Sequence, residues 1–256
     1  MTPDTRFSGH LQDSVDQVTS QVQPFGGNVV VRVASATNQV TIEALLGVRP
    51  FIVLNFGVLS PADVEILVQR GIVVVPEPSS TDAEPRDPGV AALQATTLRR
   101  NGDRPLWYAT TADENPEPFS RERFTALVDY CAGQGLAPPE AVSVHLDVAG
   151  GSRALSIILR EHERAAVACY NDEVALTLLA GARELGIEVP GRVALVGMDD
   201  SIAARLWAPR LTTVHVDMKG FIADLVAQLR DQLEPHETSR RVPVESFFTI
   251  VEGETG

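Results

Sequence analysis

The segment Ala165 to Val214 reads AAVACYNDEVALTLLAGARELGIEVPGRVALVGMDDSIAARLWAPRLTTV, and its pattern predicts the fold of the chain. Residues 165–170 form a short apolar run with the length of a buried strand, and residues 193–198 form a second one. Between them, apolar residues recur at helical spacing, and Gly186 stands where a helix commonly ends in a left-handed residue. The order strand, helix, strand is typical of a parallel sheet.

Polar residues follow both predicted strands directly. Ligands of open α/β sheets bind off the carboxyl ends of the strands, so Asn171-Asp172 and Asp199-Asp200 are expected on one edge of the sheet. The alternative is structural, with Asn171 or Asp172 capping the helix that follows and Asp200 solvated. We assign Asp172 and Asp200 to these structural roles, leave Asn171 open between both, and predict that Asp199 binds ligand.

The remainder of the chain alternates between helical and strand patterns. This alternation predicts a doubly wound α/β fold with parallel sheets. Helices are predicted at 7–22, 40–46, 60–71, 89–100, 120–136, 151–162 and 221–233, and strands at 28–34, 50–56, 72–75, 105–110, 142–146 and 242–251.

Four motifs, in this order and spacing, resemble the effector-binding core of the lactose/galactose repressor (LacI/GalR) family: YNDEVAL, ELGIEVP, VALVGMDD and APRLTTV. The resemblance implies the fold of periplasmic sugar-binding proteins, with two Rossmann-like doubly wound subdomains joined by three crossovers. It implies an N-terminal subdomain of residues 1–104 with 212–234, and a C-terminal subdomain of residues 105–211 with 235–256.

The resemblance also implies ligand-binding residues. Arg123 matches a helix position from which an arginine projects into the ligand cleft, and Phe7 matches a position whose aromatic ring lines it. A guanidinium can grip two oxygens at once, so Arg123 opposite Asp199 would suit the vicinal hydroxyls of a sugar or the edge of a purine. Structural alternatives stay open: Arg123 and Asp199 could pair with each other, and core packing could account for Phe7 and for the two weaker candidates for apolar walls, Phe119 and Trp207.

The net charge of −13 argues against DNA binding by these residues themselves, because such binding is largely electrostatic. Nothing here matches the helix-turn-helix and hinge of the family, and MTPDTR is too polar to replace its first core strand. We therefore expect a small-molecule sensor, acting as a homodimer that reaches operator DNA only through an N-terminal domain not matched here. The alternatives are a stand-alone solute-binding protein or, less favoured, a metal-dependent enzyme using Asp199-Asp200.

Other functional classes lack support. No apolar run has membrane-spanning length, and the first residues carry no signal-peptide pattern. Cys131 and Cys169 are interpreted as reduced core residues of a cytoplasmic protein. The five histidines show no close metal-ligand spacing. Residues 150–153 (GGSR) and 133–135 (GQG) lack the spacing of phosphate or dinucleotide loops, so we interpret their glycines as loop caps and expect no cofactor, metal or catalysis.

Overall fold

The computed structural model of the protein describes residues 42–54, 59–75, 88–100, 102–112, 120–233 and 242–256, together with Asp16, 18–20, Gln23 and Val30. The predicted helix over 7–22 and strand over 28–34 lie largely or wholly outside these residues. Phe7 and Phe119, both predicted to line a ligand site, also lie outside them.

The described helices and strands follow the predicted order closely. The helices are α1 Ile42–Gly47, α2 Pro61–Gln69, α3 Pro88–Arg99, α4 Ser120–Gly133, α5 Val148–Ile158, α6 Asp172–Leu185, α7 Ile202–Leu206 and α8 Met218–Leu233. The strands are β1 Ile52–Leu54, β2 Val73–Val75, β3 Leu106–Thr111, β4 Glu140–Val144, β5 Ala165–Cys169, β6 Val193–Met198, β7 Thr212–Val216 and β8 Phe248–Val251.

The chain divides into two compact units and passes between them three times. The first unit is Met1–Asp82 with Asp217–Phe247, and the second is Ala83–Val216 with Phe248–Gly256. These bounds differ from the predicted subdomains. Helix α3 joins the second unit because it packs against β5 and β6, and β7 joins it because its backbone pairs with β6.

The first unit is built around a parallel pair of strands. β1 pairs with β2, and α1 and α2 supply the apolar contacts through Leu45, Val64 and Leu67. Ser60 and Asp63 form a reciprocal capping box at the start of α2, and Pro61 occupies its first turn.

The second unit contains a six-stranded sheet in the order β4-β3-β5-β6-β7-β8. Its strands are parallel except β8, which pairs antiparallel with β7. Helices α5 and α6 share an apolar cluster with one face of the sheet, and α3 and α4 share a cluster with the other. Every residue of β5 and β6 is buried, which confirms the doubly wound fold.

Two predicted details differ. The predicted strand over 242–251 is a 3-10 turn, Val244–Phe247, followed by the shorter β8, because only residues 248–251 have a partner on β7. Gly150 and Gly151 lie inside α5 rather than capping a loop. Cys131 and Cys169 are buried free thiols. None of the helices in the described ranges combines the length and apolar content needed to cross a bilayer.

Candidate functional site

Arg123 projects from α4 to the carboxyl end of β5. The residue is only 9% exposed, and its Nη1 donates a hydrogen bond of 2.8 Å to the carbonyl oxygen of Tyr170. Its guanidinium carbon lies 5.0 Å from the centre of the Tyr170 ring, a cation–π distance. These two contacts orient the guanidinium beside Asn171, the next residue along the chain.

Asn171 is the N-cap of α6. Its Oδ1 accepts a 2.9 Å hydrogen bond from the backbone nitrogen of Val174, and the residue is half-buried. The capping interpretation is therefore confirmed for the oxygen, while the Nδ2 of the same amide can donate to a ligand. Capping and ligand binding are compatible in this geometry.

Asp199 follows β6, the neighbour of β5. Strand pairing aligns Ala168 with Val196, and continuing that register sets Asp199 opposite Asn171 on the same edge of the sheet. Asp199 is exposed, and its φ is 107°, a backbone conformation that side chains other than glycine rarely adopt. We name Arg123, Tyr170, Asn171 and Asp199 the carboxyl-end cluster.

Asp172 has a structural role, as predicted, but not as a helix cap. It is 1% exposed and accepts two hydrogen bonds, one from the Thr213 hydroxyl at 2.5 Å and one from the Ser201 backbone nitrogen at 2.7 Å. Burial raises the pKa of this carboxyl. Asp172 thus ties the start of α6 to β7 and to the turn after β6.

Asp200 is not solvated, so that prediction is wrong. Its side chain is 6% exposed and accepts hydrogen bonds from Arg205 Nε at 2.9 Å and Arg205 Nη2 at 2.5 Å. His215 Nδ1 lies 3.1 Å from the same carboxylate. The hydrogen bonds from Arg205 lower the pKa of Asp200. The sequence suggested solvation because Arg205 and His215 approach Asp200 only when α7 and β7 are folded.

These contacts weaken the metal-site alternative for Asp199-Asp200. Arg205 occupies both carboxylate oxygens of Asp200. Within the described ranges, no group of three or more His, Cys, Asp or Glu side chains is arranged to hold a metal ion.

Gln94 supports the same edge of the sheet, and sequence reasoning did not identify it. The residue is 1% exposed, and its Nε2 lies within hydrogen-bond distance of the carbonyl oxygens of Cys169, Val196 and Gly197, at 2.8, 3.2 and 3.1 Å. Gln94 interrupts an apolar stripe between Val90 and Leu98, spaced i, i+4 and i+8. The sequence signal for this role is a single amide side chain within an apolar stripe, because a buried amide requires hydrogen-bond partners.

Trp207 does not join the carboxyl-end cluster. It follows the last residue of α7 and is 37% exposed. Among the described residues, Trp207 forms no ring or cation–π contact with Arg123 or Tyr170. The structure therefore brings Arg123, Asn171 and Asp199 to one edge of the sheet, and it places Trp207 on an exposed surface beside α7.

The carboxyl-end cluster combines a guanidinium, an amide, a carboxylate and an aromatic ring. Such groups donate and accept hydrogen bonds and offer a stacking face, which is the chemistry of binding a polar small molecule.

Comparison with known proteins gives a consistent result. The profile of the periplasmic binding protein-like domain family matches residues 95–255. The regulator GalR of Escherichia coli K12, described as an HTH-type transcriptional regulator, is 35% identical over 118 residues, which cover 44% of this chain. That match spans only 34% of the length of GalR.

Solved structures share the fold over nearly the whole chain. A sugar-binding regulator of the LacI family from Escherichia coli, solved with phosphate, covers 98% of this chain and 95% of its own, with a TM-score of 0.74 at 17% identity. The lac repressor dimer bound to operator and an anti-inducer covers 97% of this chain and 90% of its own chain, with a TM-score of 0.66 at 20% identity.

Proposed function

Because the chain belongs to the periplasmic binding protein-like domain family, as the effector-binding core of a lactose/galactose repressor (LacI/GalR) type regulator, we propose that it binds a small polar effector at the carboxyl-end cluster. The effector class is a sugar or a nucleoside-like compound. The matched relatives named above are regulators of transcription rather than enzymes.

The position of Arg123 carries this proposal. Burying a guanidinium is costly unless its donors are satisfied, and here the Tyr170 carbonyl and ring hold it at the edge where Asn171 and Asp199 also lie. A fixed, planar guanidinium suits recognition of adjacent oxygens, and Asp199 supplies an acceptor for hydroxyl groups. The pair fits a polyhydroxylated ligand.

Regulation would follow from two states of the protein. An effector that binds one arrangement more tightly shifts the population toward it, and DNA affinity changes with that population. DNA contact would be made by a helix-turn-helix segment, which these 256 residues do not match. A homodimer is part of this proposal, supported by the dimeric lac repressor structure and by the exposed apolar side chains of α7.

A thermal-shift screen against monosaccharides, nucleosides and purine bases tests the proposal. A compound at about 100 times its dissociation constant stabilises the native state by about 2.7 kcal/mol. For a chain of this size, that corresponds to a rise in Tm of several degrees, at about 2–4 °C per kcal/mol. Absence of stabilisation by every compound of these classes would contradict the proposed effector class.

Two variants and two matched controls locate the site. Arg123→Gln and Asp199→Asn should abolish the shift caused by a stabilising compound, since each removes one charged contact. Arg121→Gln and Asp129→Asn change the same charges at exposed positions of α4 and should retain it. Equal loss in variants and controls, or retention in all four, would place the ligand elsewhere.

A further inference from the structure

The turn that follows β6 is fixed through its backbone amides, and Asp199 is its first residue. The Asp199 amide donates to a carbonyl oxygen of β7 at 2.9 Å. The next two amides donate to side chains instead. The Asp200 amide donates to the hydroxyl oxygen of Thr213 at 3.4 Å. The Ser201 amide donates to a carboxylate oxygen of Asp172 at 2.7 Å, so two side chains anchor this turn.

The two anchoring side chains are also bonded to each other. The Thr213 hydroxyl donates to the other carboxylate oxygen of Asp172 at 2.5 Å, and both residues are buried. A carboxylate accepts through both of its oxygens, so Asp172 takes this hydroxyl and the Ser201 amide at once. Because Asp172 directly follows Asn171, one buried carboxylate links Asn171 to the turn that carries Asp199.

Gly197 of β6 leaves the space that this carboxylate occupies. A Cβ on Gly197 would lie 2.3 Å from Asp172 Oδ1 and 3.3 Å from the Thr213 hydroxyl oxygen. Burial raises the pKa of Asp172, so keeping it ionised at neutral pH costs the native state stability. Costs of this kind persist at functional sites, where a fixed geometry is needed.

We propose that Asp172 and Thr213 are positioning residues of the effector site, which hold Asp199 in its binding conformation and in a fixed relation to Asn171. This role rests on the proposed function. The φ angles of Asp199 and Asp200 are 107° and 52°, and a turn with such angles relaxes when its anchors are removed. If only a fraction of the molecules then presents Asp199 correctly, the measured Kd rises by the inverse of that fraction.

Thr213→Val tests the anchor, because valine keeps the shape of threonine without its hydroxyl. The Kd should rise about tenfold or more, as for a turn that is correctly formed in about one molecule in ten. Calorimetric titration with D-galactose, D-ribose, adenosine and hypoxanthine measures the Kd of each probe that binds the wild type. Thr213→Ser retains the hydroxyl and should keep the affinity of the wild type.

Thr212→Val is the matched control on the same strand. Thr212 is also buried, but its hydroxyl oxygen accepts from the amides of Gly253 and Gly256 rather than from the turn. Thr212→Val should therefore lose stability and keep its affinity for the probe. Equal losses of affinity in the two valine variants would reduce Thr213 to a structural role and overturn the proposal.

Asp172→Asn separates positioning from stability. Its amide offers one acceptor oxygen to two donors, so the affinity should fall about tenfold or more. The free energy of unfolding at neutral pH should not fall, since the buried charge is removed. Wild-type affinity in this variant would contradict the role of the carboxylate.

Amide hydrogen exchange provides a measurement without effector. In Thr213→Val the Asp200 amide should exchange at least about tenfold faster than in the wild type while the Gly253 amide is unchanged, and Thr212→Val should show the reverse. An unchanged Asp200 amide would overturn the anchoring. A probe that binds the wild type and Thr213→Val equally would overturn the positioning role and leave the proposed function standing. If no probe binds the wild type, the proposed function fails and this role fails with it.

Discussion

Asp199 and Asp200 hold two consecutive backbone conformations with positive φ, at 107° and 52°. For residues other than glycine, such conformations cost about 1–3 kcal/mol each and persist where the surroundings impose them. Here β7 imposes them: the Asp199 nitrogen donates to the Val214 carbonyl, and the Asp200 nitrogen donates to the Thr213 hydroxyl. The strain therefore coincides with the predicted ligand residue.

Substitutions at Asp199 test this strain. Asp199→Gly should be more stable than Asp199→Ala by about 1 kcal/mol, since only glycine adopts this φ without steric cost. Urea unfolding of both variants measures the difference. A more stable alanine variant would show that the backbone at this position is relaxed.

Asp200 and Asp172 are expected to change the stability of the protein with pH in opposite directions. Arg205 lowers the pKa of Asp200, so its stabilising contribution is present above the unfolded pKa of about 3.9 and is lost as the pH falls through the lowered folded pKa. Burial raises the pKa of Asp172, so its contribution is greatest below about pH 3.9 and is lost as the pH rises through the raised folded pKa.

Free energies of unfolding measured between pH 3 and 7 check these signs. The wild type should exceed Asp200→Asn in stability at pH 7, and the two should converge as the pH falls below about 4. Asp172→Asn should gain stability relative to the wild type as the pH rises above that value. Parallel curves for Asp200→Asn and the wild type would contradict the ion pair with Arg205.

At the scale of elements, α5 and α6 make a close contact through glycine. A Cβ on Gly151 would lie 2.1 Å from the Thr177 carbonyl oxygen, and one on Gly181 would lie 2.4 Å from the Gly151 carbonyl carbon. Backbone therefore meets backbone at this crossing, and Gly151 serves helix packing where a loop cap was expected.

Alanine substitutions test the crossing. Gly151→Ala and Gly181→Ala should each destabilise the protein by about 1–3 kcal/mol, because an added methyl group must separate the two helices. Gly133→Ala, at the end of α4 with open space around it, should stabilise by about 0.5–1 kcal/mol. Chemical denaturation measures the free energy of unfolding of the three variants. Similar effects in all of them would show that helix propensity alone determines the effect of each substitution.

At the scale of the whole molecule, the proposed dimer needs an apolar surface. Ile202 and Leu206 are 76% and 80% exposed, and their i, i+4 spacing places them on one side of α7. Burying such side chains contributes about 1.5–3 kcal/mol each, which favours contact with a second copy.

Sedimentation velocity tests this surface. The double substitution Ile202→Ser and Leu206→Ser should raise the dimer Kd about a hundredfold or more, since two apolar contacts of about 1.4 kcal/mol or more each are lost. Val148→Ser and Leu185→Ser, at exposed positions of α5 and α6, should leave it unchanged. A wild-type chain that stays monomeric at all concentrations would contradict the dimer.

Local patterns along the chain were sufficient to predict most elements and part of the site. Apolar periodicity, the caps at Ser60 and Asn171, and the left-handed Gly186 act within a few residues, so they can be identified without the fold. The edge carrying Asn171 and Asp199 followed from strand order, and Arg123 from the family resemblance.

Tertiary structure decided what depends on distant partners. The amide of Gln94 beneath two strands and the closeness of Gly151 to Gly181 join segments far apart in sequence. The ion pair that buries Asp200 spans only five residues, but it exists only once α7 has folded and carries Arg205 back to Asp200. The boundaries between the two units also depend on tertiary structure, because the packing of α3 on the sheet determines where the second unit begins. Local sequence determines which element forms, whereas the partner of a buried polar group exists only after the elements have packed.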